Sequence, residues 1–256
     1  MTYRPNGDYN LDVREGKVAG HEMVSIRGHD ETVPNGGPFG LSPQFGVNGY
    51  SFDQSAISAT PAVVGVASTD NTNDNVAGTG ALTVQVVGLD AAGAAQSETV
   101  TMTGQTAVNT VATFSAVFSL RVLTTGTNNA NTGTLYCGTG TFTAGVPAVR
   151  MLSMEIGFNI SLSGYYIVPA GKTLYLKEFI STVAVGTKEA EVFVETGPDG
   201  ILWYKEAPFG LGNSSLWHPL ISQPGFPAGT HIQLQASATS ASTDVLAILS
   251  CELVDD

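Results

Sequence analysis

The chain has 256 residues, 10 Lys and Arg against 22 Asp and Glu, a formal charge of −12, and a composition that is 43% hydrophobic and only 12% charged. That much apolar material with so little charge excludes a disordered chain, and the acidic balance argues against a nucleic-acid binder, which needs clustered Lys and Arg against phosphate. Between residues 28 and 149 the single basic side chain is Arg121.

Residues 1–8 are polar and broken by Pro5 and Gly7, without the apolar core of a secretory signal, so the chain is expected to remain where it is made. The first 31 residues carry Arg4, Arg14, Lys17 and Arg27 among six acids, with few apolar side chains between them. Residues 34–49 then hold Pro34, Pro38, Pro43 and five glycines, a density of breakers that reads as extended chain. Together, 1–49 reads as an extended N-terminal arm held by a partner or a neighbouring subunit, with Arg4, Arg14, Lys17 and Arg27 as its candidate contacts. Deleting such an arm is expected to leave the remainder folded.

From about residue 60 the period is two and β-branched residues dominate. Residues 62–66, 81–87, 98–102 and 111–122 read as strands, and Asp70–Asn75, Gly88–Gly93 and Gly126–Asn129 supply turn chemistry between them. Residues 50–149 are therefore expected to form a β-sandwich or barrel. A second region, 150–256, continues in the same style, with strands at 165–168, 173–185, 190–196, 201–204, 231–236 and 244–254. Val168-Pro169-Ala170-Gly171 and Phe226-Pro227-Ala228-Gly229 echo each other, each a tight turn leading into an alternating strand. Two such units suit the corners of an antiparallel, jelly-roll-like sandwich. No apolar stripe of helical period persists for three turns, and no run approaches the 18 apolar residues of a membrane helix. The expected fold is all-β.

Few residues suggest chemistry. Asp70-Asn71-Thr72-Asn73-Asp74-Asn75 begins like a calcium loop, but Asn75 stands where the loop needs Gly and Ala81 where it needs a bidentate Glu, so a plain turn is expected. The histidines His21, His29, His218 and His231 lack metal-ligand spacing, and no nucleophile accompanies His29-Asp30-Glu31. Glu191 and Glu195 are the best pair for glycoside hydrolysis, yet their alternation with Val192 and Val194 reads as a solvated sheet face shared with Phe193. Trp203, Tyr204, Phe209 and Trp217 form an aromatic set suited to stacking on sugars or to packing at an interface, and Trp203 and Trp217 join the candidate partner contacts. Cys137 and Cys251 read as small buried hydrophobes. No catalytic residue, cofactor or metal is assigned.

The stretch Ser68-Thr69-Asp70, Ala77-Gly78-Thr79-Gly80-Ala81 through Gly88-Leu89-Asp90-Ala91, Glu98-Thr99-Val100 to Gly104, and later Thr132-Gly133, resembles virion structural proteins of tailed phages, particularly of marine and cyanobacterial hosts. The ending from Pro227-Ala228-Gly229-Thr230 to Glu252-Leu253-Val254 looks similar too. The resemblance implies a non-enzymatic virion component assembled in the host cytoplasm, most simply a homotrimeric capsid decoration or cement protein contacting the major capsid protein or other virion proteins. A tail, collar or head-fibre component is the alternative within virions, and a carbohydrate-binding host-recognition module the alternative outside a purely structural role. Neither nucleic acid nor membrane is an expected partner.

Overall fold

The computed structural model describes residues 9–33, 39–40, 54–183, 189–198, 204–212, 215–219, 224–239 and 243–256. The chain opens with α1 (Tyr9–Arg14), β1 (His21–Val33), β2 (Phe39–Gly40), α2 (Ser55–Ala59) and β3 (Gly65–Ser68). Then follow β4 (Ala81–Leu89), β5 (Ala95–Thr101), β6 (Val108–Asn109), β7 (Ala116–Thr125), β8 (Leu135–Thr143), β9 (Val146–Met154) and β10 (Ile160–Leu162). The last group is β11 (Tyr165–Ile167), β12 (Lys172–Val183), β13 (Glu189–Gly197), β14 (Tyr204–Gly212), β15 (Ser215–Pro219), β16 (His231–Ala238) and β17 (Thr243–Asp255). The protein is all-β, and every strand pairing among the described residues is antiparallel.

Four sheets form two pairs. In the first body, the sheets β10-β7-β4-β5 and β6-β3-β8-β9 enclose one core that includes Val66, Val84, Val86, Phe114, Leu120, Leu135 and Met151. Alternation explains this: on β4, Val84 and Val86 are fully buried while Thr83 and Gln85 lie on the other face. In the second body, the sheets β1-β17-β12-β15 and β11-β16-β13-β14 enclose Ile26, Phe179, Val192, Val194, Leu234, Ala247 and Leu249, with β2 added beside β16. The first body extends through β10, past the boundary expected at residue 149.

The arm expected over 1–49 is corrected for its middle part. Residues 21–33 are β1, paired with the C-terminal β17 from His21↔Val254 to Val33↔Thr243. Ile26 and Val33 are fully buried in the second core, so the first body is a long excursion between this strand and β11. The charges that made the segment look solvated belong to an edge strand: Arg27 and His29 share the face opposite Ile26, and edge strands commonly carry such residues. Residues 1–8, including Arg4, and 41–49 lie outside the described residues.

The two Pro-Ala-Gly turns lie side by side. Gly171 and Gly229 take positive φ, the Gly229 N–H donates to the Val168 carbonyl at 2.9 Å, and Leu174 and Phe226 exchange a reciprocal pair of main-chain bonds. The echo in the sequence thus places two corners of the second body against each other. Between the bodies, Leu89 and Ala116 pack on Ile167, and the rings of Phe118 and Tyr166 stack at 4.3 Å. Cys137 and Cys251 are free and buried in different cores, where desolvation raises both thiol pKa values, Cys137 to about 12.

Candidate functional site

The carboxylates of the Asp70–Asn75 segment are taken up by hydrogen bonds, that of Asp70 within the segment and that of Asp74 from Ser68, Ala81 and Gly133. Asp70 Oδ1 accepts from the N–H groups of Thr72 and Asn73 at 2.7 and 2.8 Å. The Asn73 side-chain amide donates to Asp70 Oδ2 at 2.9 Å, and that bond with the main-chain ones lowers the Asp70 pKa to about 2. Asp74 is fully buried, and its carboxylate accepts from the Ser68 hydroxyl at 2.6 Å and from the N–H groups of Ala81 and Gly133, both at 2.7 Å. Thr132 adds its N–H at 3.0 Å and its hydroxyl at 3.1 Å. Glycine is required at this knot: a Cβ on Gly80 would sit 2.1 Å from Asp74 Oδ1, and one on Gly133 2.4 Å from Ser68 Oγ. The arrangement is a structural turn, and the residues that carry the sequence resemblance, from Ser68 through Gly80 to Thr132-Gly133, are the ones that build it.

The N-terminal segment is fastened through Glu252 on β17. Its carboxylate, 5% exposed, accepts from Lys177 Nζ at 2.8 Å and from the Tyr9 hydroxyl, and lies 2.8 Å from His21 Nδ1. Lys177 also stands 5.8 Å from the centre of the Tyr9 ring. Burial opposes ionisation of Glu252, but the bonds from Lys177, Tyr9 and His21 outweigh it and hold the carboxyl below its ordinary value. A carboxyl depressed in the folded state stabilises the fold above its unfolded pKa, about 4.3, and loses that contribution as pH falls through the lower folded value. Glu252→Gln is therefore expected to lower the thermal midpoint at pH 7, with the gap to the native chain narrowing as pH falls below about 4. Calorimetry across that range checks it.

The other candidates scatter. Arg14 is exposed on α1, and Lys17 is exposed but paired with Glu15 and Asp12. Arg27 is half-buried on β1, its Nε without a hydrogen-bond partner, and burial lowers its pKa. Trp217, on β15, is 63% exposed. It stands at the opposite edge of the same sheet from Arg27, in one row of register through Ile248 and Ile180. Trp203 lies outside the described residues, as do the side chains of Tyr204 and Phe209. The solvated face expected for Glu191 and Glu195 is half wrong. Glu191 is exposed, but Phe193 and Glu195 are buried, and Glu195 accepts the Gln233 amide at 3.3 Å from the neighbouring strand. The face that alternation assigned to solvent is buried along Phe193–Glu195, where Gln233 of β16 lies beside Glu195.

The histidines serve as fasteners. His29 Nε2 lies 2.7 Å from Asp244 across β1 and β17, and His231 Nδ1 lies 2.6 Å from the Tyr165 hydroxyl across β16 and β11. No cluster of three or more His, Cys, Asp or Glu is placed to hold a metal among the described residues.

A cleft of ≈ 390 Å³ opens between the bodies. Its walls come from residues 22–25 of β1, from Phe118, Ser119 and Arg121 of β7, and from Ile160 and Leu162 of β10. This concavity is not visible in the sequence, because the β1 wall lies more than 90 residues from the β7 and β10 walls.

No family model matches the chain, and no curated protein matches it. Among solved structures it is similar to that of infectious bursal disease virus Gt strain, at 12% identity and a TM-score of 0.24, over 92% of this chain and 71% of that one. The Gx strain structure gives 12% identity and a TM-score of 0.22, over 91% and 75%. At these scores the likeness defines neither a shared fold nor a shared role.

Proposed function

We propose that this chain is a non-enzymatic virion structural protein that decorates or cements a capsid shell as a homotrimer. The observation that carries the reading is the strand order of the second body. Eight of its described strands, β1 and β11 to β17, lie in the orders first-eighth-third-sixth and second-seventh-fourth-fifth, with the two-residue β2 beside β16 outside that order. That order is the one two interlocked Greek keys produce, the jelly roll used by viral capsid proteins and by lectins. The resemblance of residues 62–143 to tailed-phage virion proteins supports the same reading, and residues that carry it, from Ser68 to Gly80 and Thr132-Gly133, build the Asp74 knot.

On this reading the protein works by contact area repeated around the shell, where many weak contacts add through multivalency. Light scattering of the purified protein mixed with undecorated capsids is expected to show a stable trimer that leaves solution with the shells. A monomer that stays in solution would overturn it. Trp217 is the exposed anchor, and Trp217→Ala is expected to weaken shell binding by about tenfold or more without changing the thermal midpoint. Unchanged shell binding by that variant, together with lost binding to a glycan array, would assign the tryptophan to a lectin role instead.

A further inference from the structure

Among the described residues β1 is an edge strand, and one stretch of that edge lies unpaired in the cleft. Main-chain direction alternates along a strand, and two bonds fix the phase here. The Asp255 N–H donates to the Gly20 carbonyl, so even-numbered residues bond toward β17. The Arg27 N–H points the other way and donates to the Ser163 carbonyl at 3.1 Å. Met23 and Ser25, in phase with Arg27, therefore direct their N–H and C=O groups away from β17, and β1 has no second partner strand among the described residues. Both residues line the cleft, and Ser25 is exposed.

The opposite wall supplies what a bound segment needs. Ser119 is 4% exposed and lines the cleft, yet its hydroxyl has no hydrogen-bond partner among the described residues. Phe118, Ile160 and Leu162 give an apolar floor. Of the three charged residues in the lining, Lys172 is held by Asp255 and Glu22 stands near the Tyr166 hydroxyl, whose pKa it helps burial to raise. Arg121 forms no ion pair among the described residues.

We infer that this cleft binds an extended peptide segment of a partner protein, which adds as a strand to β1 at Met23–Ser25 and places an acidic side chain at Arg121. Four main-chain groups on residues 23 and 25 match a partner of about four residues, since a strand advances about 3.3 Å per residue. The acid follows from charge complementarity, and the extended form from the spacing of the open groups. The inference goes beyond the virion reading and does not rest on it, because soluble protein and free peptides test it.

The probes are acetylated, amidated Thr-Val-Glu-Val-Thr, its Glu→Gln analogue, and a copy N-methylated at alternate residues. In the free protein the amides of Met23 and Ser25 are expected to exchange hydrogen rapidly, while Val24 and Ile26 are protected. The Glu peptide should bind saturably, slow exchange at Met23 and Ser25 by at least tenfold, and bind about threefold or more tighter than its Gln analogue. Arg121→Gln should abolish that preference, and N-methylation should abolish binding. Ser25→Pro removes the outward N–H without breaking the β17 ladder and should weaken binding; N-methylation tests the same bond if that variant misfolds. Strong protection of Met23 and Ser25 in the free monomer, or equal binding of the N-methylated peptide, would overturn the inference. Protection that appears only as the protein dimerises would overturn it too, and assign the edge to a second copy.

Discussion

Deleting residues 1–33 is expected to unfold the second body, whereas deleting residues 1–8 leaves it folded. β1 supplies one whole edge of a four-stranded sheet and pairs with β17 over most of its length. Its removal strips the cover from Ile26's neighbours Phe179 and Leu249, which are fully buried, and leaves the Glu252 carboxylate without His21 and Tyr9. Losing two buried aliphatic side chains alone costs about 2–5 kcal/mol each, and total stabilities are only about 5–15 kcal/mol. Circular dichroism and proteolysis of the two truncations check this. A cooperative melt in the longer deletion, at the native midpoint, would contradict the role of β1. The expectation that deletion of 1–49 leaves the remainder folded is thereby reversed for its strand-forming part.

Asp74→Ala is expected to be the most destabilising single substitution in the first body. The native carboxylate satisfies three main-chain N–H groups, of Ala81, Thr132 and Gly133, and two hydroxyls, of Ser68 and Thr132. Removing it orphans buried donors at about 1–3 kcal/mol each, so a loss of at least about 4 kcal/mol follows. Urea unfolding should show a large drop in midpoint. Asp74→Asn should recover part of the loss at most, because one acceptor oxygen becomes a donor facing other donors. By contrast Asp70→Asn, on the exposed side of the same turn, should cost far less. If the Asp74 and Asp70 variants lose equal stability, the knot is not the centre of this region.

Much of the fold is legible where one strand reports on one face. The alternation in 81–87 and 231–236, and the Pro-Ala-Gly turns at 169–171 and 227–229, correspond to β4, β16 and two adjoining corners. Legibility fails where burial depends on a neighbour. β1 carries Met23, Val24, Ile26 and Val33 as its apolar set, and its charges obscure a period that β17 makes plain. Glu195 looks solvated until Gln233 is set beside it. Of the aromatic set Trp217 is exposed, while Trp203 and the side chains of Tyr204 and Phe209 lie outside the described residues, and Arg14, Lys17 and Arg27 go to three different environments. The Glu252 fastening joins residues 9, 21, 177 and 252, and no local spacing announces such a group.

The sequence by itself determined that this acidic chain, with Arg121 as the single basic residue between 28 and 149, is an all-β protein with its turns at glycine, asparagine and aspartate. Those properties are local: the period of side chains along a strand and the backbone freedom of turn residues need no distant partner. The tertiary structure alone decided that the charged N-terminal stretch closes the C-terminal sheet, and that Asp74 faces inward while its neighbour Asp70 faces the loop. Among the described residues it also left the edge of β1 unpaired at Met23 and Ser25. Each of these depends on which strands become neighbours, and long-range pairing is set by the burial of whole faces together rather than by any one segment.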